Sequence, residues 1–328
     1  MHPITDMKVI KIILLAIFLL SPFAALAEPV KIAAWNIEHL RDTNGEGPND
    51  RSDTDYERLA HYVRRINADI KALQEVEVPP VASRIFNPLR YQFFFSRRNA
   101  ELLTGFAIRK GIETKQNPDL TGLNVDGDNR HGTDISVKIN GHWVRMLSVH
   151  LKSGCWGDPL NASKDACRKL SAQLPVLESW IDARVADGVP FLVLGDFNRR
   201  FDNNADDTFW PEIDDGTPAN ADLFRVTENH TDQCWGSLYP NFIDHIVLDL
   251  ISTKWVVKGS FSHLVYDEGT EYKKKLSDHC PVIVIINPDL ALLNERDRSI
   301  LNSLDLIDDQ MMGLRQIIIE QKPEGITP

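Results

Sequence analysis

Several things are scarce in this chain, and each scarcity removes a class of protein. Cysteine is limited to four positions in 328 residues, with no CxxC pair, no HExxH and no His/Cys cluster at zinc-ligand spacing. That composition argues against a structural zinc. Internal repeats and low-complexity tracts are absent, which removes solenoids and biased linkers. Long apolar runs are missing too. The one uninterrupted stretch, residues 12–20, is far shorter than the roughly 20 residues a membrane span needs, and Pro22 breaks the chain just beyond it. Cationic excess is also lacking: 36 Lys and Arg face 47 Asp and Glu, a net charge of −11. Such a charge repels nucleic acid at long range. It does not exclude a phosphodiester as substrate, because a metal-filled acidic site can still act on one.

What is present is ordinary globular material, 43% apolar and 25% charged, enough for a sizeable core. The N-terminus has a basic start (Lys8, Lys11), the short apolar stretch, and Ala25-Leu26-Ala27 before Glu28. This reads as a secretory signal over residues 1–27, cleaved after Ala27, and predicts a secreted or periplasmic protein. Removing Lys8 and Lys11 against Asp6 takes the net charge to −12. In an oxidising compartment an even cysteine count predicts bridges. Cys155 and Cys167 would close a short loop worth about 2–3 kcal/mol, leaving Cys234 with Cys280.

Along the chain, "VKIAAWN" reads as a strand, and residues 55–68 place Tyr56, Leu59, Val63 and Ile66 on one helical face. "DIKALQEVE", "YQFFFS", "TGFAIRK", "TDISVKI" and "HWVRMLSVHLK" read as further strands, with adjacent runs forming antiparallel hairpins. Residues 167–185 place Leu170, Leu174, Leu177 and Ile181 along an amphipathic helix despite Pro175. "PFLVLGDFN", "FIDHIVLDL", "TKWVVKG" and "CPVIVIIN" complete the strand set, while 41–54 and 113–131 read as loops. The fold class expected is α+β, two sheets face to face with helices outside. One catalytic domain spans 28–288, and 289–328 forms a helical extension. There Ile300, Leu304, Ile307, Met311, Leu314 and Ile318 step by four and three, a heptad seam. The seam is expected either to pack on its own domain or to form a homodimer or partner contact.

Polar residues recur where apolar strands end: Asn36, Glu75, His150, Asp196, Asn198, Asp244, Asp278 and His279. A carboxylate or imidazole at a buried strand edge is costly without a partner, a metal or a proton to move. Taken in order, "WNIEHL", "LQEVE", "SVHLKS", "LGDFN", "IDHIVL" and "SDHCPV" resemble the endonuclease/exonuclease/phosphatase superfamily over nearly the whole mature domain. The resemblance implies a four-layer sandwich of two central, mostly antiparallel β-sheets flanked by helices. It also implies a phosphoester hydrolase using Mg²⁺, with Mn²⁺ or Ca²⁺ as alternatives.

Carried over residue by residue, the resemblance gives Asn36, Glu75 and Asp278 to the metal, with Asn36 fixing Glu75 and Glu38 as an accessory ligand. It assigns catalysis to His150, Asp196, Asn198, Asp244 and His279. Asp244 would bond His279 across the chain and set its tautomer, leaving His245 structural. The glutamate that pairs with His150 in the pancreatic-type nucleases has a counterpart here only if Glu101 is reached by a one-residue slip.

Arg199 and Arg200 after GDFN, the lysines 273–275, Trp235 and Tyr239 favour nucleic acid, through phosphate contacts and base stacking. A lipid phosphodiesterase or phosphomonoesterase is the alternative enzyme, yet no loop shows the clustered exposed aromatics that bilayer entry needs. A non-catalytic binding module would be expected to lack one of the six motifs, and all are present.

Overall fold

The computed structural model describes residues 28–201, 207–236, 238–293 and 295–320; the expected signal segment lies outside them. Strand β1 (Val30–Leu40) is followed by helix α1 (Asp53–Ile66), which crosses over so that β2 (Ile70–Val76) lies parallel to β1. Helix α1 starts where the Asp55 carboxylate accepts the Ser52 N–H and hydroxyl at 2.9 and 2.8 Å. It stops at Asn67, whose left-handed backbone (φ 46°) lets its N–H close on Val63. Strands β3 (Tyr91–Phe95) and β4 (Leu103–Arg109) add an antiparallel hairpin.

The second half repeats the theme. β5 (Thr114–Gln116), β6 (Thr133–Ile139) and β7 (His142–His150) form an antiparallel meander, and α2 (Asp165–Asp187) crosses to β8 (Phe191–Asp196), parallel to β7. The short helix α3 (Phe209–Ile213), β9 (Leu223–Arg225) and β10 (Asp244–Asp249) complete the second sheet. The chain then returns through β11 (Ser262–His263) and β12 (Val282–Ile286) to the first sheet and ends in α4 (Glu295–Glu320). Two six-stranded sheets result, in the orders β11-β12-β1-β2-β4-β3 and β5-β6-β7-β8-β10-β9.

Alternation along the central strands builds the layers. Ile32, Ala34, Ile70 and Ala72 point inward, against Ile135, Met146, Leu192 and Ile246 of the other sheet. Ala33, Trp35 and Leu73 point outward onto Tyr56, Leu59, Val63 and Ile66 of α1. Val149, Phe191 and Val193 likewise meet Leu170, Leu174, Leu177 and Ile181 of α2. The expected four-layer α+β sandwich is the observed architecture. Both cysteine pairs, Cys155–Cys167 and Cys234–Cys280, are bonded.

Two local expectations fail, and one open alternative is narrowed. "TKWVVKG" is not a strand: residues Ser252–Trp255 form a 3₁₀ turn and Val256 makes one isolated bridge to Ile286. β5 sits inside the stretch read as a loop, and β9, only three residues long, carries too little pattern to register. The seam of α4 does not face its own domain. Asn287 reaches Asp305 at 3.2 Å, Lys31 pairs with Asp309 at 2.6 Å, and Leu306 packs near Ile285, so a largely polar face docks. Ile300, Leu304, Ile307 and Met311 stay 54%, 47%, 53% and 48% exposed; the side chains of Leu314 and Ile318 lie outside the described set. No helix among the described residues is long and apolar enough to cross a membrane.

Candidate active site

Both crossovers are parallel, so β1 and β2 in one sheet, and β7 and β8 in the other, end at one edge of their sheet. β10 and β12 run antiparallel to β8 and β1, so they begin at those edges. The polar residues that end or precede these strands are thereby brought together. The two sheets approach closely behind them. A Cβ on Gly195 would lie 2.2 Å from the Val149 carbonyl oxygen and 2.6 Å from Gln74 Nε2, which is why the residue before Asp196 has no side chain.

Asn36 is the hub. Its Nδ2 lies 3.1 Å from Asp196 Oδ2, 3.3 Å from Glu75 Oε1 and 3.5 Å from His279 Nε2, while its Oδ1 accepts the Glu38 N–H at 3.0 Å. Glu75, at φ 61°, turns its carboxylate so that Oε2 accepts the His39 N–H at 3.2 Å. Glu38 (φ 47°), His39 (φ 55°) and Asn198 (φ 52°) are also left-handed. Such backbones concentrate where a site dictates side-chain direction.

His279 Nδ1 lies 2.6 Å from Asp244 Oδ2, the pair formed across the chain. Its Nε2 lies 3.7 Å from Asp196 Oδ2 and 3.6 Å from Asp278 Oδ1. Burial opposes charge on His279, but Asp244, Asp196 and Asp278 outweigh it and hold the imidazolium well above the usual histidine range. His150 is the opposite case. Burial, with Arg130 and His279 nearby, pushes its pKa well below the usual value and keeps it neutral. His150 Nε2 stands 3.5 Å from Asp196 and 3.7 Å from Glu75, while its Nδ1 is buried without a hydrogen-bond partner. Glu101 does not support it, being tied to Arg41. His245 is structural, held by Thr227 and the Arg199 carbonyl at 2.7 and 3.1 Å.

A cleft of about 570 Å³ opens over this floor, lined among others by Glu75, His150, Asp196, Asn198, Asp244, Asp278 and His279. Of the two arginines after GDFN only Arg200 reaches it. Arg199 is fully buried, its guanidinium on Asp207 at 2.7 Å and on the Cys155 and Asp158 carbonyls. It anchors a loop from beneath and contacts no substrate space, a correction to its expected binding role. Neighbouring side chains in extended chain point opposite ways, so only one of a doublet can face the cleft.

Trp235 lines the cleft, but its indole N–H goes to the Ser277 carbonyl at 2.8 Å and one face stacks on Tyr266. Two lining residues had no sequence signal of their own. Trp156 donates to Asn198 Oδ1 at 3.0 Å, and Arg130 sits in the cleft with its pKa lowered by burial against the pull of Glu75. Among the described residues no single loop carries clustered exposed aromatics, but the rim brings residues from two loops together. Tyr239 (58% exposed), Trp156 (40%) and Leu238 (93%) gather there, and Arg200 lies 4.1 Å over the Tyr239 ring.

The endonuclease/exonuclease/phosphatase family model matches residues 33–279, from β1 through His279. The chain belongs to this family. The endonuclease/exonuclease/phosphatase family includes metal-dependent nucleases and phosphodiesterases, typically using Mg²⁺. No curated protein matches the sequence. Among solved structures the chain is similar to TDP2 from C. elegans, at 18% identity over 80% of this chain and 76% of that one, TM-score 0.58. It is also similar to an AP endonuclease from Archaeoglobus fulgidus, at 16% identity over 79% and 99%, TM-score 0.52. A third is D. rerio TDP2 complexed with single strand DNA product, at 17% identity over 79% and 99%, TM-score 0.53. At these identities the likeness is one of fold.

The donor set fits the family's cation. Burial and the Asp278 charge push Glu38 up to about 7, and burial with the Asp244 charge pushes Asp196 to about 7. Crowded carboxylates that resist ionisation are what a divalent cation relieves. With all four cysteines in disulfides, the ligands left at the cleft floor are carboxylate oxygens and histidine nitrogens. Among the described residues the cleft-floor ligand atoms that lie within 4.8 Å of one another are those of Asp196, Asp244 and His279, whereas the resemblance gives the ion to Glu75, Asp278 and Glu38. Asn36, grouped with them by the resemblance, spends its amide on Glu38, Glu75 and Asp196 and acts as their brace.

Proposed function

We propose that this chain is an exported, Mg²⁺-dependent phosphodiesterase acting on nucleic acid by in-line attack of water. The single observation carrying the reading is the 2.6 Å Asp244–His279 pair beside Asp196 and Asn36 at the floor of a cleft whose rim is aromatic and cationic.

A bound divalent cation would supply charge neutralisation on the phosphoryl group and its leaving oxygen. The chain's own residues do the rest. His279, already protonated, binds a non-bridging oxygen and stabilises its growing charge. Asp196 orients the attacking water and takes its proton. Asn198, braced by the Leu151 carbonyl at 3.1 Å and by Trp156, keeps one amide hydrogen for the phosphoryl group. Neutral His150 donates from Nε2. Arg200 and Arg130 hold flanking phosphates, and Trp156 and Tyr239 offer ring faces to a base. The single-strand product held by the D. rerio structure supports an unpaired strand as substrate. The signal-like N-terminus and two disulfides support export.

The nearly fully exposed Leu238 favours one second reading, a lipid phosphodiesterase whose rim touches a bilayer. One experiment separates them. The mature chain is incubated with single-stranded DNA, plasmid, RNA, sphingomyelin vesicles and inositol phosphates, with Mg²⁺ or a chelator, alongside His279→Ala. Metal-dependent cleavage of a nucleic acid, lost in the variant, is expected. Cleavage of the lipid alone would move the assignment to the second reading, and no turnover of any ester would leave a binding module. We also assign the exposed seam of α4 to weak pairing with a second copy of this chain.

A further inference from the structure

His279 sits on a short segment just before β12, residues 277–280, that belongs to no strand. Its position is dictated largely from outside. The Ser277 carbonyl accepts the Trp235 indole N–H at 2.8 Å, and the His279 carbonyl accepts the Tyr266 hydroxyl at 2.9 Å. Tyr266 is in turn fixed by the Trp35 indole N–H at 3.0 Å and by the stacked face of Trp235, rings 4.8 Å apart and 20° from parallel. Ser277 Oγ donates to the Asn36 carbonyl at 2.7 Å and accepts the His279 N–H at 3.0 Å, tying the segment to the hub of the site.

Trp235 is the weak member of this clamp. It lies outside both sheets, in a 3₁₀ turn (Cys234–Gly236), and its backbone is left-handed at φ 54°, a conformation unfavourable for a bulky residue. What holds the turn against the catalytic segment is covalent: Cys234 is bonded to Cys280, the residue next to His279. The bond joins positions 46 apart in sequence.

We propose that the Cys234–Cys280 disulfide is a positioning element for His279, acting through Trp235 and Tyr266, so that the chain hydrolyses its substrate only when this pair is oxidised. Reduction by a dithiol breaks the S–S bond and delivers two electrons and two protons. Two cysteine thiols form, and the dithiol closes to its own cyclic disulfide. Trp235 then loses its tether, Tyr266 loses its stacking partner, and the His279 main chain is free to shift relative to Asp244 and Asp196. A displacement near 1 Å at a catalytic group costs about 10²-fold in rate. A chain still in a reducing compartment is therefore inactive, and oxidation after export switches it on. The activity arm of this inference rests on the hydrolytic reading of the cleft; the positional arm does not.

The test uses full-length mature Cys155→Ala/Cys167→Ala, in which a dithiol can act only on Cys234–Cys280. Two measurements are made before reduction, after it, and after reoxidation. Amide hydrogen exchange is expected to lose protection at 264–266 and 277–280 on reduction and regain it on reoxidation, with β1, β2, β7 and β8 unchanged. On the ester found to be hydrolysed, kcat is expected to fall by about 10²-fold while KM changes less than about threefold, both reversing. If this variant does not fold, the same readouts are taken on Cys234→Ala/Cys280→Ala against wild type. Unaltered exchange at 277–280 after confirmed reduction overturns the proposal, as does full kcat in the reduced chain. Altered exchange with no ester hydrolysed even when oxidised would sink the hydrolase reading while leaving the tether intact.

Discussion

The Asp244–His279 pair is the residue-level feature on which the chemistry turns. At 2.6 Å, and with Asp196 and Asp278 also near, the imidazole is held in its charged form. Asp244→Asn keeps the shape but removes the charge that outweighs burial, so His279 should lose its proton and its hold on the phosphoryl oxygen. We expect kcat to fall by roughly 10²- to 10⁴-fold with KM little changed; a fall under about fivefold would assign the pair a structural role. The adjacent arginines make a complementary test. Arg199→Ala leaves Asp207 buried and unpaired, so it should cost about 3–5 kcal/mol in urea unfolding. Arg200→Ala should leave stability within about 0.5 kcal/mol, because among the described residues the guanidinium overlies the Tyr239 and Trp156 rings and pairs with no carboxylate. It should instead raise KM for nucleic acid several-fold. The opposite assignment of the two effects would reverse the roles given to this doublet.

At the scale of elements, strand ends explain both what the sequence revealed and what it hid. Asn36, Glu75, His150, Asp196 and Asp244 stood out because an apolar run ended or began at each, and the crossovers α1 and α2 then fix which ends meet. Trp156, Arg130 and Leu238 act from connecting segments whose positions depend on long-range ties, such as Arg199 on the Cys155 carbonyl. No local periodicity encodes those ties. The α4 seam stayed open between two readings for the same reason: its spacing announced an apolar face correctly, but which face docks is set by Asn287 and Lys31, distant in sequence. Within β2, Lys71 is a local conflict of another kind. Its ammonium is fully buried on the Ala68 carbonyl and Tyr91, and burial, with Arg109 nearby, drives its pKa well below that of a free lysine. For a base with a lowered folded pKa the unfolded chain binds the extra proton. Stability is therefore greatest above the unfolded value of 10.5 and is lost as pH falls from there towards the folded pKa. Lys71→Met removes that titration and should gain roughly 1–3 kcal/mol at neutral pH, with the gain shrinking as pH approaches the lysine range. Urea titrations of both chains across alkaline pH check this, and a gain independent of pH would contradict the assignment to burial.

For the whole molecule, the net charge of −11 and the cationic rim act at different ranges. The overall charge slows approach of a polyanion beyond a Debye length, whereas Arg130, Arg200 and Lys273 act on contact. Four local phosphate contacts, His279 included, give a slope in log KM against log salt of at most about 3, shallower than that of a basic nucleic-acid binder. Steady-state kinetics from low to moderate salt measure it, and a slope of about 5 or more would require cations this cleft does not have. The α4 face makes the remaining global prediction. Ile300, Leu304, Ile307 and Met311 lie about half exposed along one stripe, while Asp305 and Asp309 face the domain. Covering such side chains releases on the order of 1 kcal/mol each, offset by the cost of association, so pairing of two short seams should be weak. Sedimentation equilibrium of the mature chain should show reversible dimers at tens to hundreds of micromolar, roughly the range of a modest interface. Leu304→Glu/Ile307→Glu should abolish them without changing kcat, because the seam docks beside Lys31 near the start of β1, whereas the catalytic Asn36 lies further along the same strand. A wild-type chain that stays monomeric throughout that range would remove the second copy as the occupant of the seam.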